Sequence, residues 1–231
     1  MYDYQASVRA IDAHWPTILP CIAGAVIGSF IYFTSAVRQA RREKVYTEAF
    51  LGASVFFWHD LSFVLHFPLW FGVYNHWWFK SWTFALVGTV AFEAWLIYVI
   101  YQYGHRELWP SLSKRAFGAA LVLGTLAVGA MWWVLKDLLN DELYFLSFAI
   151  TAIWSAPFHT GLMCLRKSRA GQSPLRQLCM ANNLVWLTFA FAQVDPYFKS
   201  PPFVAFAIAF TLWPLANIWL IRRLPPAPAA A

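Results

Sequence analysis

Apolar residues in this chain run in long blocks rather than alternating. Seven stretches, 17–36, 49–70, 81–102, 116–135, 143–165, 178–194 and 203–221, each approach the 20 or so helical residues needed to cross about 30 Å of hydrocarbon. Charge or turn residues bound them, as at Arg38 to Lys44, Asp137 to Glu142 and Ser200-Pro201-Pro202. The runs are too long for membrane strands and lack their period of two. The pattern predicts an all-α, polytopic membrane protein: one seven-transmembrane-helix bundle over residues 1–223, then a disordered proline and alanine tail, 224–231. Tyr4, Val8, Ile11 and Trp15 fall at helical spacing, which predicts a short interfacial helix before the first crossing. Asp3 and Asp12 sit where a signal peptide would be basic, so the first helix is expected to stay in the mature protein.

Composition agrees. The chain is 60% hydrophobic and only 12% charged, too little charge to cover a soluble domain of 231 residues. The net charge of +6 gains meaning from its placement. Thirteen of the 17 basic residues fall in the loops after the first, third and fifth runs and after the last: Arg38 to Lys44, Arg106 to Arg115, Arg166 to Arg176, and Arg222 with Arg223. The other four are Arg9, Lys80, Lys136 and Lys199. This asymmetry predicts a cytoplasmic C-terminus and an outside N-terminus, in a plasma (bacterial inner) or endoplasmic reticulum membrane. It also accounts for the basic balance without nucleic acid. The tryptophan-rich stretch from Trp70 to Trp82 reads as an interfacial belt, and Cys21, Cys164 and Cys179 as small apolar residues.

Two carboxyls interrupt the apolar runs. Asp60 in the second and Glu93 in the third lie near mid-membrane, within roughly 5 Å of each other in depth. Sequential helices are usually neighbours, so the two are expected to share a cavity, with no lysine or arginine inside a helix to pair with them. At least one is then expected to be a neutral acid, the state that donates a proton. Intramembrane carboxylates are costly, which favours function over a purely structural hydrogen bond. His59, adjacent to Asp60, is turned about 100° from it and is not expected to face the same space squarely. Ser147, Thr151, Ser155 and His159 recur every four residues, predicting one polar stripe toward the bundle interior, joined by Asn182, Asn183 and Gln193 on the sixth run and Asn217 on the seventh. Gly24 and Gly28 predict close helix packing. No phosphate loop, HExxH or CxxC motif is present, so no metal or cofactor is expected. The seventh run carries no lysine for a retinal Schiff base.

Phe92-Glu93-Ala94-Trp95, then Ile97-Tyr98 and Tyr101-Gln102-Tyr103-Gly104, resembles the integral-membrane terpene cyclases of meroterpenoid and indole-diterpene biosynthesis. Arg169-Ala170-Gly171-Gln172-Ser173 is similar to that family's Arg-Gly-Gln-Ser loop. The register covers most of the chain, with departures. The family follows a tryptophan directly with a catalytic glutamate, whereas here Trp58 precedes His59 and then Asp60; counting back from Pro68 puts Asp60 at the acid. The family's second acid, in the seventh helix, is matched by Asn217. The resemblance implies metal-free, acid-initiated reaction of a lipophilic isoprenoid, commonly an epoxide. Asp60 would be the acid, with Glu93 or His159 removing the last proton and His59 the alternative acid. Phe56, Phe57, Phe63 and Trp95 would hold the cation, and Ser155, Asn183 and Asn217 would line the site. The partners implied are the bilayer and a lipophilic small molecule, with oligomeric state left open. A proton-coupled or small-solute transporter is the alternative reading, since midplane carboxyls and a polar helix face suit it too. A non-catalytic binding subunit is another.

Overall fold

The computed structural model describes residues 3–151 and 155–226. Among them the chain is helical throughout, without strands. The helices are α1 (Tyr4–Glu43), α2 (Phe50–Leu65), α3 (Trp77–Tyr103), α4 (His105–Leu108), α5 (Lys114–Leu139), α6 (Phe145–Ile150), α7 (Ala156–Arg166), α8 (Pro174–Phe191) and α9 (Pro201–Arg223). A π-helical turn, Leu69–Val73, follows α2, and a 3-10 turn, Pro196–Lys199, precedes α9. Four of these helices, α1, α3, α5 and α9, are long and apolar enough to cross a membrane.

Local chemistry sets the boundaries. The Asp3, Ser113 and Ser173 side chains accept from backbone N–H groups three residues on, at 3.0, 3.1 and 3.4 Å, capping α1, α5 and α8. Lys44, Asn140 and Lys167 adopt left-handed conformations that end α1, α5 and α7. Among the described residues, the apolar run 143–165 holds two helices, α6 and α7. Pro157 sits in the first turn of α7, where its missing N–H is tolerated; farther inside a helix it would break the ladder. The polar stripe is thus divided between α6, α7 and their connection, yet Ser147, Thr151, Ser155 and His159 are all buried.

The N-terminal segment is helical, as its spacing predicts, and continues into α1 through a kink. His14 leaves helical geometry (φ −112°, ψ 15°) just ahead of Pro16, kinking α1. The arm before the kink packs on protein: Ser7 and Ile11 are buried, and Tyr4 stacks on Tyr74 with centroids 4.0 Å apart.

Small residues let the helices close. A Cβ on Gly28 would lie 2.3 Å from Asn183 Oδ1, and one on Gly24 would lie 2.8 Å from Trp186 Nε1, so α1 and α8 meet nearly backbone to side chain. α2 lies between α3 and α5; the Trp58 indole covers Gly129 of α5 and donates to Thr125 O at 2.6 Å. The basic loops gather at one end. There Arg166 of α7 makes a bidentate pair with Glu107 of α4 (2.9 and 3.1 Å), Gly171 N donates to Glu43 (2.8 Å), and Arg169 N donates to Pro225 O (3.0 Å). Pro225 thus docks on a loop, while residues 227–231 of the expected disordered tail lie outside the described residues.

Candidate functional site

Inside the bundle lies a cavity of about 140 Å³, walled by α1, α2, α3, α6 and α8. On α3 its lining extends from Trp82 to Leu96, roughly 20 Å of helix, so it is an elongated bore. Its lining is mostly apolar and aromatic, including Phe30, Phe33, Phe56, Trp82 and Phe148. Phe30 forms a side wall: it lines the bore, is 36% exposed, and stands edge-on to Phe92 and close over Gly88 of α3.

Asp60 and Glu93 both line this bore and are buried, at 5% and 1% exposure. Asp60 accepts from the Thr89 hydroxyl and is 2.7 Å from His59 Nδ1. The Glu93 carboxyl lies beside that of Asp60, and its Oε2 has no protein hydrogen-bond partner. A hydrogen bond between two carboxyl groups requires one to be the donor. Asp60 accepts from Thr89 and has the His59 ring beside it, whereas Glu93 Oε2 has no such partner, which favours the proton on Glu93. His59 belongs to this group, contrary to the expectation from its position on the helix. Its ring lines the same bore, held at 5.2 Å from the Trp132 and Phe148 rings and 5.8 Å from Tyr144. Backbone direction sets only the Cβ; side-chain torsion brings Nδ1 back to the neighbouring carboxyl.

Toward the basic end the bore is closed by a buried polar cluster that sequence reasoning missed. Glu48, in the loop before α2, lines the bore with Tyr32 of α1. Glu48 accepts from Tyr32 Oη and Arg176 Nη2, and lies 2.7 Å from His159 Nε2. Gln177 Nε2 donates to His159 Nδ1 at 2.9 Å, which leaves Nε2 to carry the hydrogen directed at Glu48. Burial opposes ionisation of Glu48, but His159 and Arg176 outweigh it and hold the carboxyl below its ordinary range. Arg176 is fully buried. It was counted with the loop residues because the sixth run starts at 178; the helix begins four residues earlier, at the Ser173-Pro174 capping pair, which is the signal that could have placed it inside. An arginine within a helix does exist here, but its partner is Glu48 rather than Asp60 or Glu93. No comparable local signal marks Glu48.

The remaining expected site residues divide. Phe56, Ser155 and Asn183 line the bore; Asn183 also bridges α8 to α1 through Ser29, 2.8 Å away. Phe57 instead packs edge-on to Trp58, and Phe63 stacks on Trp70 in the core, 4.6 Å between centroids. Trp95 lies under Arg41, 5.9 Å from its guanidinium, and packs with a second apolar cluster. Asn217 is buried behind the site, donating to Ala156 O (3.0 Å) and Gln177 Oε1 (3.2 Å) and accepting from Thr160 (2.6 Å). Phe57 is turned about 100° from Phe56 on α2, and Trp95 about 200° from Glu93 on α3, so each leaves the face that lines the bore. His159 does not line the bore itself; it stands behind Glu48 and Tyr32, which do. Among the described residues no cluster of His, Cys, Asp and Glu has the arrangement of a metal site. Compared with family models, curated proteins and solved structures, the chain matches none.

Proposed function

We propose that this chain is a seven-pass membrane enzyme, N-terminus outside and C-terminus cytoplasmic, that carries out acid-initiated isomerisation of a lipophilic isoprenoid. α6 and α7 together make the fifth crossing. One observation carries the reading: a buried carboxyl oxygen, Glu93 Oε2, stands without a partner in an aromatic-lined bore, beside a second carboxyl held by His59 and Thr89. Glu93 is the acid in this arrangement and Asp60 the group that positions it and receives charge. Glu93 passes its proton to an epoxide oxygen and that C–O bond breaks. An alkene π pair closes on the tertiary cation, and the final cation loses a C–H proton back to the carboxylate pair. Atoms and charge balance with no co-reactant. The faces of Phe30, Phe33, Phe56 and Trp82 offer cation–π stabilisation in a dry site. The bore is smaller than the roughly 300–1,000 Å³ of most ligand pockets, so ring closure requires the Phe30 wall to yield. That wall also faces the bilayer from which the substrate comes.

The test uses purified protein in nanodiscs with a terminal epoxide of farnesol, monitored for a product of unchanged mass and altered retention. Glu93→Gln is expected to lower turnover about 10²–10⁴-fold, the usual contribution of general-acid catalysis, with folding intact. A folded Glu93→Gln protein with near-normal turnover removes Glu93 as the acid. Proton-coupled solute flux in liposomes without conversion would favour a carrier instead.

A further inference from the structure

We propose that Glu48 and Tyr32 form a second recognition pole in this bore, which receives an uncharged hydrogen-bond-donating end, a hydroxyl or N–H, of a chain-like ligand. The inference rests on the reading above for which end of the ligand reacts. Capacity is the first argument. A carboxylate offers about four acceptor positions across its two oxygens. On Glu48, Tyr32 and Arg176 occupy two at Oε1, and His159 occupies one at Oε2. One position at Oε2 is left on a residue that faces the bore.

Charge is the second argument. The ionisable side chains lining the bore are Glu48, Asp60, Glu93, His59 and Tyr32; among the described residues no lysine or arginine lines it. Arg176 stands behind Glu48, with its guanidinium engaged by Gly171 O at 2.7 Å and Thr47 O at 3.2 Å. A phosphate or diphosphate entering here would meet carboxylates and no cation, while losing its hydration. A neutral donor loses little and completes Glu48.

Spacing is the third. Ala53, the α2 residue lining the bore nearest Glu48, is seven residues from Asp60, about 10 Å along the helix. A ligand anchored at Glu48 therefore presents to the Asp60 and Glu93 pair a bond on the order of 10 Å from its donor. At that far pole the unpartnered Glu93 Oε2 is the second independent sign of a ligand.

The experiment measures binding of three probes to the full chain in nanodiscs by calorimetric titration: farnesol, farnesyl methyl ether and farnesyl phosphate. Farnesol is expected to bind at least tenfold more tightly than either of the others. Glu93→Gln should preserve that preference, because the donor sits at the other pole. An ether or phosphate that binds wild type as tightly as farnesol overturns the proposal. So does loss of the preference in Glu93→Gln, which would put the hydroxyl at the carboxyl pair. Binding is read without turnover, so the two readings fail separately. Discrimination without epoxide conversion keeps the pole and removes the reaction; conversion without discrimination does the reverse.

Discussion

Arg176→Met should be among the most damaging single substitutions in this protein, and Glu48→Gln should rescue it in part. Arg176 is fully buried and donates to Glu48, Tyr32 Oη (3.0 Å), Gly171 O (2.7 Å) and Thr47 O (3.2 Å). Removing the guanidinium leaves Glu48 buried with its charge uncompensated and strips a partner from each of two backbone carbonyls. Breaking one side of a buried pair costs about 3–5 kcal/mol, whereas replacing both sides is often nearly neutral. At roughly 2–4 °C per kcal/mol for a chain of this size, the single variant should melt roughly 6–20 °C below wild type. Intrinsic fluorescence from the 14 tryptophans during a thermal ramp in detergent provides the assay. The double variant should recover at least half of the loss, so that the effects are strongly non-additive. Additive losses, or an Arg176→Met protein melting within 2 °C of wild type, would mean that Glu48 and Arg176 do not compensate each other.

The same ion pair has a pH signature. Because Glu48 is held below its ordinary range in the folded chain, its stabilisation is complete above the unfolded carboxylate value and is lost as pH falls through the folded one. The stability gap between wild type and Glu48→Gln should therefore narrow below about pH 4, and a gap that widens on acidification contradicts the assignment. Gly129→Ala puts a Cβ 2.3 Å from the Trp58 ring and threatens its bond to Thr125 O. Overpacking of this kind costs about 1–3 kcal/mol, and unchanged melting would show that Trp58 moves aside freely. A reporter fused after Ala231 should be active only in the cytoplasm; activity on the opposite side would overturn the orientation drawn from the basic loops.

How much was legible before folding depended on whether the information was local. Hydrophobic run length is local, and so the sequence alone led to an all-helical chain with helices apolar enough to cross a bilayer. Axial position is nearly local as well: a rise of 1.5 Å per residue was enough to set Asp60 and Glu93 at one depth. The Gly24 and Gly28 spacing likewise pointed to a close contact, though not to α8 as the partner. Lateral position was another matter. Which of Phe56, Phe57 and Phe63 would face the bore depended on how α2 rotates between α3 and α5. Whether His59 joined Asp60 depended on a side-chain torsion that no spacing encodes. Glu48 and Arg176, 128 residues apart, became a buried pair only when the loop before α2 folded against the first turn of α8. Sequence thus determined which residues are apolar enough to be helical and that Asp60 and Glu93 would lie near each other. Tertiary packing alone decided which polar groups meet, because desolvation rewards a pairing only after distant segments have been brought together.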